Sequence, residues 1–406
     1  MLSRFPVLAR TCTVISLAAC GTRGDFGTAQ VERRVIADTT LVRTLAGSAW
    51  GDSIQLVDEL SIGVLDGPPE YELGGIQDLA VDAQGGILAF DGQVPALRYY
   101  DSSGTYVRTL GRKGSGPGEY QDASLGLAVR RSDGRVVMRD PRNARLNVYA
   151  ADGTPSESWL FASGLFTSRA TVLDTADHMY LKIMTGRPER NKVWPIAVAH
   201  LDSHGRIIDT LVPPIMPHEP EIAGGTFGVS KVWALSPLGG FIIAVTDRYR
   251  LDHYRPDGTV LRMERDVPAI ALFPEEKSEW VARDDWLWKW QGEFMTSERQ
   301  PIPDMKPVFR DILVSEDGRV WVRRYVPAEK GEPRQGFAGP GRDPPPPMSW
   351  HEPLVYDVFE SDGSFLGTLR LPARTNLMVM RGDHVWGVRA GENDESHIVR
   401  LRIERR

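Results

Sequence analysis

Residues 76–101 read IQDLAVDAQGGILAFDGQVPALRYYD, and residues 124–151 read SLGLAVRRSDGRVVMRDPRNARLNVYAA. Each stretch contains a short apolar run, a polar turn with glycine, a second apolar run that ends in aspartate, and a third run with an aromatic residue. A further turn and a fourth apolar run follow at 101–111 and at 151–161. Turns of the Asp-Gly type between short apolar runs are typical of β-hairpins. Each stretch therefore predicts a four-stranded antiparallel meander, and the two meanders are copies of one repeat.

The two kinds of turn recur along the rest of the chain. The turn between first and second strands occurs six times, from 82–86 to 381–383, and the turn between third and fourth strands occurs five times, from 101–104 to 362–363. The last meander lacks a fourth strand, and residues 54–62 supply a strand before the first complete meander. Repeats of this length indicate a propeller, and an N-terminal strand that completes the last blade leaves only short edges. We predict an all-β fold, a six-bladed β-propeller over residues 54–403 with the N-terminal strand closing the last blade.

A resemblance to a known repeat accompanies this pattern. The connector GRKGSGPGEY at 111–120 and the segment DPRNAR at 140–145, followed by LNVYAADG, resemble the NHL-type repeat of six-bladed β-propellers. The resemblance covers residues 54–161 and is traceable to residue 403. It implies that Asp140, Asn143 and Arg145 tie down the connection between strands two and three of a blade. The architecture hosts lyases, hydrolases and binding modules, so the resemblance implies a fold and leaves the function open.

Composition limits the function classes. Of the 406 residues, 41% are apolar and 25% are charged, which is ordinary for a soluble chain and excludes a disordered chain or one with many membrane spans. The formal net charge of −6 offers no basic surplus for a nucleic-acid partner. Forty glycines and 29 prolines exceed average usage and agree with a chain that turns often.

The N-terminus has the layout of an export signal. Arg4 and Arg10 precede a short, mostly apolar stretch at 11–19, which is too short to span a bilayer. The sequence LAAC at 17–20 resembles the bacterial lipobox, and this resemblance implies cleavage before Cys20 and a lipid on that residue. The alternative is an ordinary secretory signal with a chance cysteine. The mature chain would keep no other thiol, because the second cysteine, Cys12, lies in the removed segment.

These features predict the organisation and location of the chain. We expect a lipoprotein signal peptide at 1–19, a lipid-anchored tether and N-terminal extension at 20–53, and the propeller at 54–403. The protein is then exported and held in the bacterial cell envelope, at the outer membrane or facing the periplasm, with the lipid as its only membrane attachment.

The extra residues of the propeller fall on one of its two faces. The turns between strands one and two and between strands three and four are all short, whereas the connections at the opposite end include 185–195, 212–228, 266–305 and 326–353. Loops this long are usually functional or disordered. The first of the two largest insertions, 266–305, contains a predicted helix at 274–294 with Trp280, Leu287, Trp290 and Phe294 on one face.

We expect partner recognition on the loop-rich face. Trp and Arg are enriched among interface hot spots. The candidate contact residues are therefore Trp286, Trp288, Arg334, Arg342 and Trp350. The alternative for Trp286 and Trp288 is that they plug the mouth of the central channel. The predicted function is a binding or scaffolding module for a protein, peptide or glycan.

The central channel offers a rival interpretation. Alignment of the first strands by their turns places Asp78, Asp311 and Asn376 at equivalent positions around the channel. Their oxygens could hold Ca²⁺, and the protein would then be an enzyme, either a metal-dependent lactonase-like hydrolase or a lyase. The other three aligned positions hold Gly126, Ala170 and Val232, which are not ligands, and the first strands carry no histidine. This incomplete ring favours the binding module, and we predict no metal or other cofactor.

Overall fold

The computed structural model describes residues 29–51, 54–121, 126–160, 171–187, 189, 192, 194–216, 219–220, 225–291, 298–336 and 342–405. Cys20 and residues 1–28 lie outside this range, as do Ala170 and Phe294. The described residues form six four-stranded meanders arranged as blades, which confirms the predicted six-bladed β-propeller. No helix among them is long and apolar enough to cross a membrane.

The first five blades take their strands in chain order. Neighbouring strands within each blade are antiparallel. Their bounds are Ile76–Val81, Ile87–Asp91, Ala96–Tyr100 and Tyr106–Leu110 in blade 1; Leu127–Val129, Val136–Asp140, Arg145–Tyr149 and Pro155–Leu160 in blade 2; Thr171–Leu173, Met179–Met184, Ile196–Leu201 and Ile207–Leu211 in blade 3; Lys231–Leu235, Phe241–Val245, Arg250–Tyr254 and Val260–Arg265 in blade 4; and Phe309–Val314, Val320–Arg324, Val355–Phe359 and Phe365–Arg370 in blade 5.

Blade 6 is built from both ends of the propeller sequence. Thr375–Arg381, His384–Ala390 and Ser396–Arg405 form its first three strands, and Ile54–Ile62 is the fourth. This outer strand pairs antiparallel with the third along its length, from Ile54 opposite Arg405 to Ile62 opposite Ile398. The prediction that an N-terminal strand closes the last blade is confirmed.

The segment before this closing strand differs from the predicted tether. Gln30–Ile36 and Thr39–Ala46 form an antiparallel hairpin, and its second strand pairs parallel with Val260–Arg265, the outer strand of blade 4. Val42 is buried against the core of blades 4 and 5, and Trp50 packs into the core of blades 5 and 6. Residues 30–51 therefore pack as part of the propeller, because Val42 and Trp50 are buried in the cores of three consecutive blades.

The glycine-rich connector 111–120 is a blade-to-blade link, as the sequence indicates. Asn143 Nδ2 donates to the carbonyl of Gly114 and to Asp140 Oδ2, and Arg145 Nη2 donates to the carbonyl of Gly116. Gly111 has φ +60°, a conformation that favours glycine. Asp140, Asn143 and Arg145 therefore have the structural role that the repeat implies.

In the part of the chain that the structure describes, three two-stranded elements and two helices complete the fold. Arg112–Lys113 pairs with Glu119–Tyr120 in the connector, and the 3₁₀ turn Pro141–Asn143 follows in blade 2. Ile270–Ala271 pairs with Met305–Lys306, and the α-helix Pro274–Gln291 lies between these two strands. Glu329–Arg334 pairs with Met348–His351 inside the long connection of blade 5.

The blades present two unlike faces. We call the end with the short turns between strands one and two and between strands three and four the turn face. The opposite end, the connection face, carries the links between blades and between strands two and three. The helix and the hairpin of blade 5 both belong to links on the connection face, in agreement with the sequence.

Candidate functional site on the connection face

A buried ion cluster fixes the helix to the propeller. Lys306 Nζ lies 2.7 Å from Glu276 Oε1 on the helix and 3.1 Å from Glu352 Oε1 in the blade 5 connection. The side chain of Lys306 has no exposed surface, and that of Glu276 is only 2% exposed. Burial raises the pKa of Glu352, and the charge of Lys306 partly offsets this effect. The cluster joins two insertions that are separate in sequence into one supported surface.

The helix also contacts the hairpin of blade 5. Glu279 Oε2 accepts hydrogen bonds from the backbone N–H groups of Ser349, at 2.8 Å, and Trp350, at 3.2 Å. The indole of Trp350 stacks on Phe273 just before the helix, with ring centroids 4.8 Å apart. The helix and the hairpin therefore hold each other in place.

An aromatic cluster underlies the helix. Trp280 packs edge-on against Phe227, at 5.2 Å between ring centroids, and Phe227 contacts Tyr325 at 5.5 Å. Leu272 and Ile302 complete this small core. These contacts show that Trp280 faces the propeller.

A cleft opens beside this cluster, between blades 4 and 5. Its volume is about 630 Å³, within the range of ligand pockets. Its lining is mainly apolar and rich in proline, with few polar side chains. The lining residues are Pro220, Gly225, Phe227, Gly228, Val229, Asp247, Ala269, Gln300, Pro301, Pro303, Met305, Lys306, Pro307 and Val308.

A second cleft, of about 620 Å³, adjoins the first and shares Asp247 and Val308 with it. Its lining is charged and includes Arg248 and Asp266. In this region Asp247 pairs with Arg248 at 2.9 Å and not with Arg250. Arg250 pairs instead with Asp252, so Asp247 and Arg250 do not repeat the Asp140–Arg145 arrangement of blade 2.

The five predicted contact residues lie on the helix and hairpin beside the clefts. Arg334 and Arg342 are exposed. Trp286, Trp288 and Trp350 are half-buried, and Trp286 Nε1 donates to the carbonyl of Asp343 at 2.9 Å. None of the five lines either cleft. Their role as partner contacts stays a prediction.

Asp78 serves the framework of the propeller. Its Oδ2 accepts from the backbone N–H groups of Gly126, at 2.8 Å, and Leu127, at 2.9 Å. Its Oδ1 accepts from the N–H of Leu79 at 2.9 Å. These bonds join the innermost strands of blades 1 and 2, so the carboxylate has a structural use.

Asp311 has a different environment. It accepts from the N–H of Ile312 at 2.8 Å, and it is open to water through the channel although protein surrounds its other sides. Burial raises the pKa of Asp311, with Lys182, Arg323 and Arg310 opposing the shift. Burial also lowers the pKa of Lys182, whose Nζ lies 4.2 Å from the ring centre of Trp233 on the first strand of blade 4.

Asn376 does not occupy the position equivalent to Asp78 and Asp311. Those two carboxylates each follow a β-bulge directly, whereas the bulge of blade 6 lies between Leu377 and Val379. The turn of blade 6 is also shorter, because Arg381 pairs directly with His384. The sequence alignment failed here since a bulge shifts the register by one residue and leaves no clear signal in the sequence.

Sequence reasoning missed most of the cleft. Phe227 and Val229 come from one link and Met305 and Val308 from another, and only the fold brings the two links together. The one available signal was the length of the links 212–228 and 266–305.

Comparisons with known proteins give only distant structural likeness. No protein-family model matches the sequence, and no curated protein matches it. A DUF4221-family protein from Bacteroides vulgatus is 11% identical and has a TM-score of 0.49, with 87% of this chain and 99% of that chain covered. A Bacteroides fragilis protein thought to be exported is 12% identical and has a TM-score of 0.48, with 86% and 95% covered. A virginiamycin B lyase from Staphylococcus aureus is 11% identical and has a TM-score of 0.43, with 86% and 99% covered. All three TM-scores are below 0.5, so the assignment of six blades depends on the strand pairings alone. The NHL assignment stays a resemblance.

Proposed function

We propose that the protein is a binding module that takes an extended segment of a peptide or protein into the cleft of the connection face. The observation that carries this proposal is the apolar cleft of about 630 Å³ beside the buried Lys306 cluster. A cleft with fixed walls binds with a smaller loss of conformational entropy than a mobile loop does.

The chemistry of the two clefts favours a peptide over a glycan. Proline, methionine, valine and phenylalanine side chains offer apolar contacts and few hydrogen bonds to sugar hydroxyl groups. The adjoining cleft supplies charged partners of both signs, such as Arg248 and Asp266, for polar side chains. An apolar centre beside a polar rim is the usual anatomy of a protein interface.

We expect Met305→Glu to weaken peptide binding by at least about tenfold, because it places a charge where an apolar side chain would be buried. Met305 is 47% exposed, so the substitution should leave the fold intact. The measurement has two steps. Random peptides displayed on phage are first selected for binding to the wild-type protein, and the selected peptides are then titrated against each variant. Val35→Glu is the control, because Val35 is 67% exposed and lies on the N-terminal hairpin, away from the cleft.

Equal loss of affinity in Val35→Glu and Met305→Glu would contradict the proposal. Binding to a glycan array, with no peptide enriched in the phage selection, would mean that the ligand is a sugar. Binding that responds to Trp286→Ala and not to Met305→Glu would move the site from the cleft to the helix.

We also propose that the protein is held in the cell envelope by a lipid on Cys20. The support is the LAAC sequence at 17–20. Gln30 already belongs to the hairpin on blade 4. A chain from Cys20 to Gln30 spans at most about 35 Å, at about 3.5 Å per residue. A lipid on Cys20 would therefore keep the outer edge of blade 4 close to the membrane.

We expect Cys20→Ser to release the protein from envelope membranes or to block its maturation, because serine offers no thioether for the lipid. The measurement is fractionation of membranes from cells that express each form, with mass spectrometry of the N-terminus. Cys12→Ser is the matched control and should stay with the membrane fraction. Unchanged membrane association of Cys20→Ser would contradict the anchor.

Catalysis at the channel is the second candidate. It is supported by Asp311 and Lys182, whose pKa values are both shifted in the direction that favours the neutral form, a feature common at active sites. Hydrolysis of a lactone panel by the wild type and not by Asp311→Asn, together with failure of the peptide selection, would favour an enzyme over the binding module.

A further inference from the structure

A group of potential metal ligands lies on the turn face of blade 3, away from the clefts. Asp174 and His178 belong to the turn between the first two strands, and His200 lies on the third strand. One ligating atom from each residue lies within 4.8 Å of the other two. Among the described residues this is the one such group of three or more His, Cys, Asp or Glu side chains.

Strand register explains how the histidines meet. His200 is directly opposite Tyr180, two residues after His178. The imidazole of His200 stacks on the ring of Tyr180, with ring centroids 4.4 Å apart and planes inclined by 7°. Its centroid is 5.1 Å from that of His178. The stacking fixes the plane of the His200 ring beside the turn.

The two ring nitrogens of His200 differ in their surroundings. Nδ1 lies 3.0 Å from Asp209 Oδ1 on the outer strand of the blade. Nε2 is buried and has no hydrogen-bond partner. A buried nitrogen without a partner costs about 1–3 kcal/mol. A carboxylate on one nitrogen and a metal on the other is a common arrangement of ligating histidines, since the carboxylate fixes the tautomer and the ring orientation.

Asp174 is held in a matching orientation. Its Oδ1 accepts from the backbone N–H groups of Ala176, at 2.8 Å, and His178, at 2.9 Å. Its Oδ2 accepts from Tyr180 Oη at 3.1 Å and lies 3.4 Å from His178 Nδ1. Ligand atoms on a tetrahedral zinc ion are about 3.3 Å apart when the bonds are about 2.0 Å. The Asp174–His178 pair thus already has the spacing that zinc requires.

The turn itself is fixed from the neighbouring blade. The carboxylate of Asp177 accepts from the backbone N–H groups of Arg131 and Ser132 of blade 2, both at 2.9 Å. The His178 side chain is 38% exposed, so an ion can reach its ring from solvent.

We propose that Asp174, His178 and His200 bind one Zn²⁺ ion, with Asp209 as the positioning residue for His200. Two imidazoles and one carboxylate suit a transition metal better than Ca²⁺ or Mg²⁺. Three protein ligands leave the fourth position to water or to a donor atom of a bound molecule. The ion gives the buried Nε2 of His200 its partner.

The test is titration of the metal-free, full-length chain with Zn²⁺ by calorimetry, and with Co²⁺ by visible absorption. We expect one Zn²⁺ per chain and the intense absorption bands of tetrahedral Co²⁺. His178→Ala should weaken Zn²⁺ binding by at least about 100-fold, because a three-ligand site is reduced to two. Asp209→Asn should weaken it by about 10–100-fold, as for other outer carboxylates.

His384→Ala is the matched control. Its side chain is also 38% exposed and lies 3.2 Å from a carboxylate, Glu59, but no second histidine joins it among the described residues. His384→Ala should bind Zn²⁺ as the wild type does. Circular dichroism of His178→Ala checks the fold, which a turn substitution should leave unchanged. Substoichiometric binding by the wild type, or equal affinity of wild type and His178→Ala, would overturn the proposal.

Discussion

Replacing Asp357 by asparagine is expected to lower the free energy of unfolding by about 3–5 kcal/mol, the usual loss when one member of a buried ion cluster is removed. The Asp357 carboxylate is fully buried and accepts from Arg265 Nη1 at 2.6 Å and Arg324 Nη1 at 3.1 Å. Tyr249 Oη, at 2.8 Å, and Thr368 Oγ1, at 2.6 Å, also donate to it. Asparagine keeps the shape of the side chain but leaves two largely buried guanidinium groups without a counter-charge.

The effect should reach across two blades. Tyr249 and Arg265 belong to blade 4, whereas Arg324 and Asp357 itself belong to blade 5. The measurement is denaturation by urea, followed by tryptophan fluorescence. Asp266→Asn is the control, because Asp266 pairs with Arg43 at 2.9 Å but its side chain is 81% exposed. An exposed pair of this kind contributes only about 0–1 kcal/mol. Equal losses in the two variants would show that the buried cluster does not hold the blades together.

Replacing Lys306 by methionine is expected to release the helix from the connection face. The substitution leaves the carboxylates of Glu276 and Glu352 facing each other in a buried site, which should cost about 3–5 kcal/mol. The loss is expected to be local, because the helix depends on this cluster and on one small aromatic core. The measurement is limited proteolysis between residues 266 and 305, with circular dichroism for loss of helix.

Two further variants separate charge from packing. Lys289→Met removes a lysine whose side chain is 67% exposed, and it should leave the protease pattern unchanged. Glu276→Gln with Glu352→Gln in the Lys306→Met background removes both unpaired charges and should restore much of the resistance. Failure of this rescue would mean that lysine packing, and not charge balance, holds the helix.

The repeat made most of the fold predictable. Glycine turns are local signals, so each meander could be found from a few residues, as in 82–86 and 101–104. The N-terminal hairpin was missed because its partner, Val260–Arg265, is remote in sequence and the pairing is parallel. No local pattern in Thr39–Ala46 specifies which blade it joins.

The candidate sites were less predictable for the same reason. The length of the links indicated the correct face, but the cleft walls and the Lys306 cluster depend on contacts between separate insertions. On blade 3, His178 lies in a turn and His200 on the third strand, and their separation in the sequence is not a recognisable metal-ligand spacing. His178 and His200 become neighbours through the register of two strands, and a single sequence does not state that register.

The strand Ile54–Ile62 closes blade 6, so it is synthesised long before the strand with which it pairs. In that blade Gln55 bonds to Glu404, which lies 349 positions later. At about 5–20 residues per second, the ribosome needs roughly twenty seconds to a minute to make the partner strand. Until then the early strand presents an unpaired apolar edge, on which only Asp58 and Glu59 add charge against aggregation. We expect the unfinished chain to bind chaperones that hold extended segments until residues 398–405 are available to pair with this strand.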